Sequence, residues 1–176
     1  MEVIGDLEAA ERKVLTDASA LISTLITCCG EGQPASAREA VSVLADIRDL
    51  AYENLNQIQH EYLILVAAAH LTSVGAAQSG IEWSWNPRQT GGSEEPDLRG
   101  TLRGVVTLSC EITTSRRPVG TIDKRMRTTL KKLSGFPGKR FYFVRTPPME
   151  SRARAIVSSL NYEIEVIRLA DTADGL

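Results

Sequence analysis

The sequence predicts an α/β fold: a mixed central sheet with helices on both faces, preceded by a helical region. Three observations lead to it. Up to about residue 76 the apolar residues recur at three- and four-residue steps, the spacing of amphipathic helices. From Gly80 the period drops towards two, the spacing of strands. The second half then alternates the two patterns in the order β-β-β-α-β-α-β, which calls for a layered α/β sandwich.

The first helix covers residues 5–28, with Leu7, Ala10, Val14, Leu15, Ala18, Leu21, Ile22 and Leu25 at helical spacing. Gly30-Glu31-Gly32-Gln33-Pro34 breaks it. Ser36 and Glu39 then form a capping box, in which each side chain satisfies a free amide near the other. A long helix follows from there to Ser73, with Asn54 and Asn56 as a candidate break. Its length exceeds that of most globular helices and suggests helix pairing.

Residues 81–85 alternate as a strand does, and the polar stretch from Asn86 to Glu95 is a loop. Strands are expected at 97–102 and 104–114. A helix is expected at 122–134, capped by Thr121 and stopped by Gly135. A strand at 140–144, a helix at 149–160 and a strand at 162–169 complete the pattern, with 170–176 as a frayed tail. The expected division is a helical region at 1–54, used for packing or dimerisation, and an α/β core at 55–169.

The composition, 43% hydrophobic and 24% charged, is that of an ordinary globular chain. No apolar run is long enough to span a bilayer, and the acidic first residues lack the order of a secretory signal. Three cysteines, two of them adjacent, provide no disulfide framework. These features point to a cytoplasmic protein with reduced thiols.

The formal charge of −2 conceals a division: residues 1–95 carry a net −9 and residues 96–176 a net +7. Such asymmetry suits a polyanionic partner, foremost nucleic acid, although a solvated basic face would look the same. The basic candidates for phosphate contacts are Arg116, Arg117, Lys124, Arg125, Arg127, Lys131, Lys132, Lys139 and Arg140.

Metal-dependent phosphodiester cleavage needs carboxylates converging on a hard cation, often with a lysine nearby. Pro96-Asp97 opens one strand, and thirteen residues separate Asp97 from Glu111 on the next, in Glu111-Ile112-Thr113. The two-residue period puts Glu111 and Thr113 on one face. A carboxylate inside an apolar strand is costly unless it has a partner, which argues for a role at Glu111. With the order helix, three strands, basic helix and strand, this resembles the PD-(D/E)XK nuclease superfamily, over about 55–145 and extending towards 169.

The resemblance implies a restriction endonuclease-like fold. It also implies that Asp97 and Glu111 hold Mg²⁺ (or Mn²⁺), and that the chain is a DNA endonuclease acting as a homodimer, since one such site cuts one strand. Glu61, beside the apolar stripe of the preceding helix, is the candidate for an added metal ligand; otherwise it is a solvated glutamate. Thr113 occupies the position where the family has its lysine, and a hydroxyl cannot supply a cation. Lys124 is the candidate replacement. Lys124, Arg127 and Lys131 lie opposite the Ile122, Met126, Leu130 and Leu133 stripe, whereas Arg125 and Lys132 flank it and reach past the helix edge more easily.

His60 reads as a surface residue, and Trp83 and Trp85 as core. Two other readings stand beside the nuclease. One is a nuclease-like domain that has lost catalysis and only binds DNA or assembles with a partner. The other is a protein-interaction module built on the N-terminal helices.

Overall fold

The computed structural model describes residues 1–30, 34–87 and 94–169. The tail expected at 170–176, the middle of the 86–95 loop and residues 31–33 of the first loop lie outside them. The order is β1 (Glu2–Ile4), α1 (Leu7–Cys29), α2 (Ala37–Ser73), β2 (Glu82–Trp85), β3 (Leu98–Leu102), β4 (Val105–Ile112), α3 (Thr121–Ser134), β5 (Lys139–Val144), α4 (Pro147–Ser159) and β6 (Glu165–Arg168).

The six strands form one mixed sheet in chain order. The pairs from β1 to β4 are antiparallel, and β4–β5 and β5–β6 are parallel. The protein is therefore α/β. The two parallel pairs need crossovers, and α3 and α4 supply them.

Alternation along the strands divides the interior in two. Leu108, Cys110, Ile112, Phe141 and Phe143 pack with Leu63, Ile64, Ala67, Ala68 and Leu71 of α2, and both tryptophans belong to this cluster. Tyr142, Val144 and Val166 pack with Met126, Leu130 and Leu133 of α3 and Met149, Ala153 and Ile156 of α4. Glu111, one step from Cys110 and Ile112, therefore faces α3.

The structure departs from the sequence reading at three elements. β1 was not foreseen, because three residues are too few to show a period. α2 runs unbroken through the expected boundary at 54/55. Asn54 and Asn56 do not interrupt it, since each side-chain amide donates to the carbonyl four residues back, Leu50 and Tyr52, at 2.8 Å. Thr121 is the first residue of α3 rather than its cap; Gly120 takes that place, at φ 56°. Among the described residues no helix is long and apolar enough to cross a membrane.

Gly138 fixes how β5 enters the sheet beside β4. It has φ +77°, and a Cβ there would stand 2.5 Å from the backbone of Thr107. Gly138→Ala should lower stability by about 2–4 kcal/mol, read as a drop in thermal midpoint, because neither the dihedral nor the neighbouring backbone can yield cheaply. A midpoint within 1 °C of wild type would contradict this account of the β4–β5 junction.

A candidate active site at the end of the sheet

Asp97 sits just before β3, one residue from Leu98, which pairs with Cys110. That register carries Asp97 alongside Glu111. Both carboxylates are buried, with 1% and 4% of their surface exposed. Asp97 Oδ2 accepts from the Ile112 amide at 2.7 Å and lies 3.2 Å from His60 Nε2 of α2. Asp97 Oδ1 is buried and has no hydrogen-bond partner. Lys132 of α3 brings its ammonium 2.7 Å from Glu111 Oε1 and donates to the Glu95 carbonyl at 3.2 Å.

The two acids open onto a cleft of about 180 Å³ between the strand ends and α3. His60, Thr113, Thr114, Ser115 and Arg125 contribute to its wall. Thr113 is held in place: its amide donates to the Phe143 carbonyl at 3.0 Å, and its hydroxyl accepts from the Ser115 amide at 3.2 Å. Its side chain also hydrogen-bonds Tyr142, whose phenol is pushed up chiefly by burial.

The electrostatics follow from two acids buried together. Burial, and then the charge of Asp97, push the Glu111 pKa up to about 8, against the pull of Lys132. Burial disfavours a charge on His60. Its hydrogen bond to Asp97 and the negative charges of Asp97 and Glu111 outweigh that, and its pKa rises above the usual histidine value. The arrangement is a row of four groups, His60–Asp97 and Glu111–Lys132, with two acids at its centre.

The site residues expected from sequence divide as follows. Asp97, Glu111, Thr113 and Arg125 share the cleft. Lys124 is exposed and does not line it; the cation that meets Glu111 is Lys132, which approaches from outside the cleft. Glu61 is neither solvated nor at the cleft. It is 2% exposed, and its carboxylate is taken by Lys13 of α1 at 3.1 Å and Gln57 at 3.2 Å. Its neighbour His60 reaches Asp97 instead, contrary to the surface position expected for it. The sequence carries no signal for His60, which lies off the apolar stripe of α2.

Of the basic set, Arg116, Arg117, Lys131 and Lys139 are exposed. Arg127 leans on Asp123 at 3.3 Å, and Arg140 donates to the Phe136 carbonyl at 2.9 Å.

The donor set suits a hard cation in one respect. Mg²⁺ is commonly bound by one or two carboxylates, with waters and substrate phosphate completing its shell. Two carboxylates converge here, Asp97 Oδ1 and Glu111 Oε1 are buried without a hydrogen bond although the latter faces the Lys132 ammonium, and Glu111 resists ionising. Among the described residues, no group of three or more His, Cys, Asp or Glu side chains is placed to hold a metal ion. Comparison with protein-family models, curated proteins and solved structures finds no match to this chain.

The raised pKa values carry a sign. Folded Glu111 keeps its proton to about pH 8, whereas the unfolded residue releases it near the usual 4.5. The folded state thus binds more protons across that window, and stability falls as pH rises through it. His60 acts in the same sense: its contribution is full below the usual histidine value and is lost as pH rises through its raised folded value. In the presence of a chelator, Glu111→Gln should flatten most of the decline and melt several degrees above wild type at pH 8. Thermal melts from pH 5 to 9 measure this; an unchanged slope in the variant would place the coupling elsewhere.

Proposed function

We propose that this chain is a metal-dependent DNA endonuclease of the restriction endonuclease-like kind, hydrolysing phosphodiester bonds at the Asp97–Glu111 cleft. One observation carries the reading. Two buried carboxylates, one at the entry to β3 and one on β4, meet at a cleft beside a basic helix, and Asp97 Oδ1 has no hydrogen-bond partner. A protein has little reason to bury such a pair without a cation to share. Asp97 and Glu111 would hold Mg²⁺ or Mn²⁺, which supplies Lewis acidity to the phosphate and lowers the pKa of an attacking water.

The chain's own residues divide the remaining work. The His60 imidazole and the Ile112 amide orient Asp97 so that its second oxygen points away from both. Lys132 is a positioning residue: its ammonium draws Glu111 towards the ionised form that a cation needs. It occupies the electrostatic role that Thr113 cannot fill, reaching the acid from α3 rather than from β4. Arg125 at the cleft wall, with Arg116 and Arg117 on the loop before α3, suits phosphates on either side of the bond to be cut. Cutting both strands of a duplex requires two copies, in keeping with a homodimer.

A second reading has its own support. His60 and Lys132 already face the two acids, one at Asp97 and one at Glu111, and the described residues contain no three-ligand metal group. A row whose acids are already partnered from within the chain fits a nuclease-like domain that binds DNA without cutting it.

Supercoiled plasmid incubated with Mg²⁺ or Mn²⁺ separates the two. The nuclease reading expects nicked or linear product, reduced at least about 100-fold in Asp97→Asn and Glu111→Gln. Lys132→Met should reduce the rate by roughly 10- to 100-fold and move its pH profile upward, with partial rescue by Lys132→Arg. Salt-sensitive DNA retardation without any cleavage would favour the inactive domain.

Arg116→Ala/Arg117→Ala should weaken retardation and lower the salt slope by about one to two. An unchanged slope would remove this loop from the interface.

A further inference from the structure

The helical hairpin of α1 and α2 is longer than the sheet it packs on. Only α2 from about Ile58 onwards, with Leu7, Ala10 and Val14 of α1, joins the core beneath the strands. Beyond that, Leu21 and Ala51 are buried between the two helices, while a second apolar face of the hairpin is left open. On α1 it consists of Leu15, Ile22 and Ile26, which fall within about 40° of one another at 100° per residue. On α2 it consists of Val41, Leu44, Tyr52 and Leu55, within about 80°. These seven side chains are 54–72% exposed. Arg48 lies within the α2 stripe, but its guanidinium is bonded to Asp49 at 2.9 Å, leaving its aliphatic stem to the stripe.

We infer that this face is the interface with a second copy of the chain, the two hairpins packing end for end as a four-helix bundle. Three features select that occupant. The first is area: seven large side chains at these exposures present roughly 800 Å², what one partner contributes to a standard stable interface. The second is shape. The stripe's Leu15 and Leu55 line a groove of about 1020 Å³ between the helices at the sheet end. Val41 and Leu44 stand exposed at the opposite, loop end of the same face. A two-fold axis across the hairpin lays Val41 and Leu44 of each copy into the groove of the other, which no parallel arrangement achieves.

The third feature is charge. Glu11 lines the groove at its sheet end, and Arg38 stands beside Val41; both are exposed, and neither makes an ion pair among the described residues. The same two-fold brings Arg38 over Glu11 twice. The inference uses none of the cleft's chemistry, and its readout is assembly rather than cleavage.

Sedimentation velocity on the full chain, from about 1 to 100 μM, tests it. The expected result is a dimer dissociating in the micromolar range. Leu44→Glu, which puts a charge into the partner's groove, should weaken it about 100-fold while far-UV circular dichroism stays unchanged. Glu11→Arg and Arg38→Glu should each weaken association several-fold, and the double variant should recover it, as the end-for-end register requires. A chain that is monomeric at 100 μM overturns the inference, as does a dimer indifferent to Leu44→Glu. Failure of the double variant to recover overturns the end-for-end arrangement.

Discussion

Two carboxylates held side by side in a protein interior must be balanced by something, and much of this structure is arranged around that requirement. Asp97 and Glu111 come together because β3 and β4 are antiparallel and the Leu98–Cys110 register brings their ends level. Burial, and then the charge of Asp97, raise the cost of ionising Glu111. The chain answers from both sides of the sheet, with His60 from α2 at Asp97 and Lys132 from α3 at Glu111.

That balance is incomplete in an informative way. Lys132 also donates to the Glu95 carbonyl and lies 5.5 Å from the centre of the Phe136 ring, so it is held rather than free to follow Glu111. Asp97 keeps one oxygen without a hydrogen bond, and Glu111 still resists ionisation at neutral pH. A cluster kept only for stability gains more from well-packed apolar side chains than from charges in this state. Strain of this sort is expected where a ligand completes the site.

Most of the fold was legible because each long element carries its own period. α1, α2, α3 and the alternating strands followed from apolar spacing alone, and the change of period at Gly80 marked where the sheet begins in earnest. β1 was not legible, since a three-residue strand with one buried side chain carries no pattern and depends on pairing with Trp83 and Trp85. At the site, Asp97 and Glu111 could be found because an acid within an apolar strand is costly and spacing put a second one nearby. Of their partners, only Lys132 was indicated. His60 lies off its helix's apolar stripe, which reads as surface, but at a sheet end that side of the helix looks into the cleft. Glu61 was plausible on its place beside the stripe of α2, and Lys13 takes its carboxylate instead; Lys124, proposed from the resemblance, lies opposite the stripe of α3 as its periodicity implied, and is exposed. Lys132 flanks the stripe of α3, which marked it with Arg125 as able to reach past the helix edge; which of the two meets Glu111 depends on where the strand ends, and a sequence does not give that.

The claim at the centre is that the Asp97–Glu111 pair is built to share a divalent cation. Calorimetric titration of Mn²⁺ into the protein at pH 7, in two buffers of different ionisation enthalpy, addresses it directly. The account predicts one site per chain, lost in Asp97→Asn, with release of close to one proton as Glu111 ionises on binding. Absence of binding, or binding that survives Asp97→Asn with no proton released, would contradict it and leave the four groups as a self-contained charge cluster.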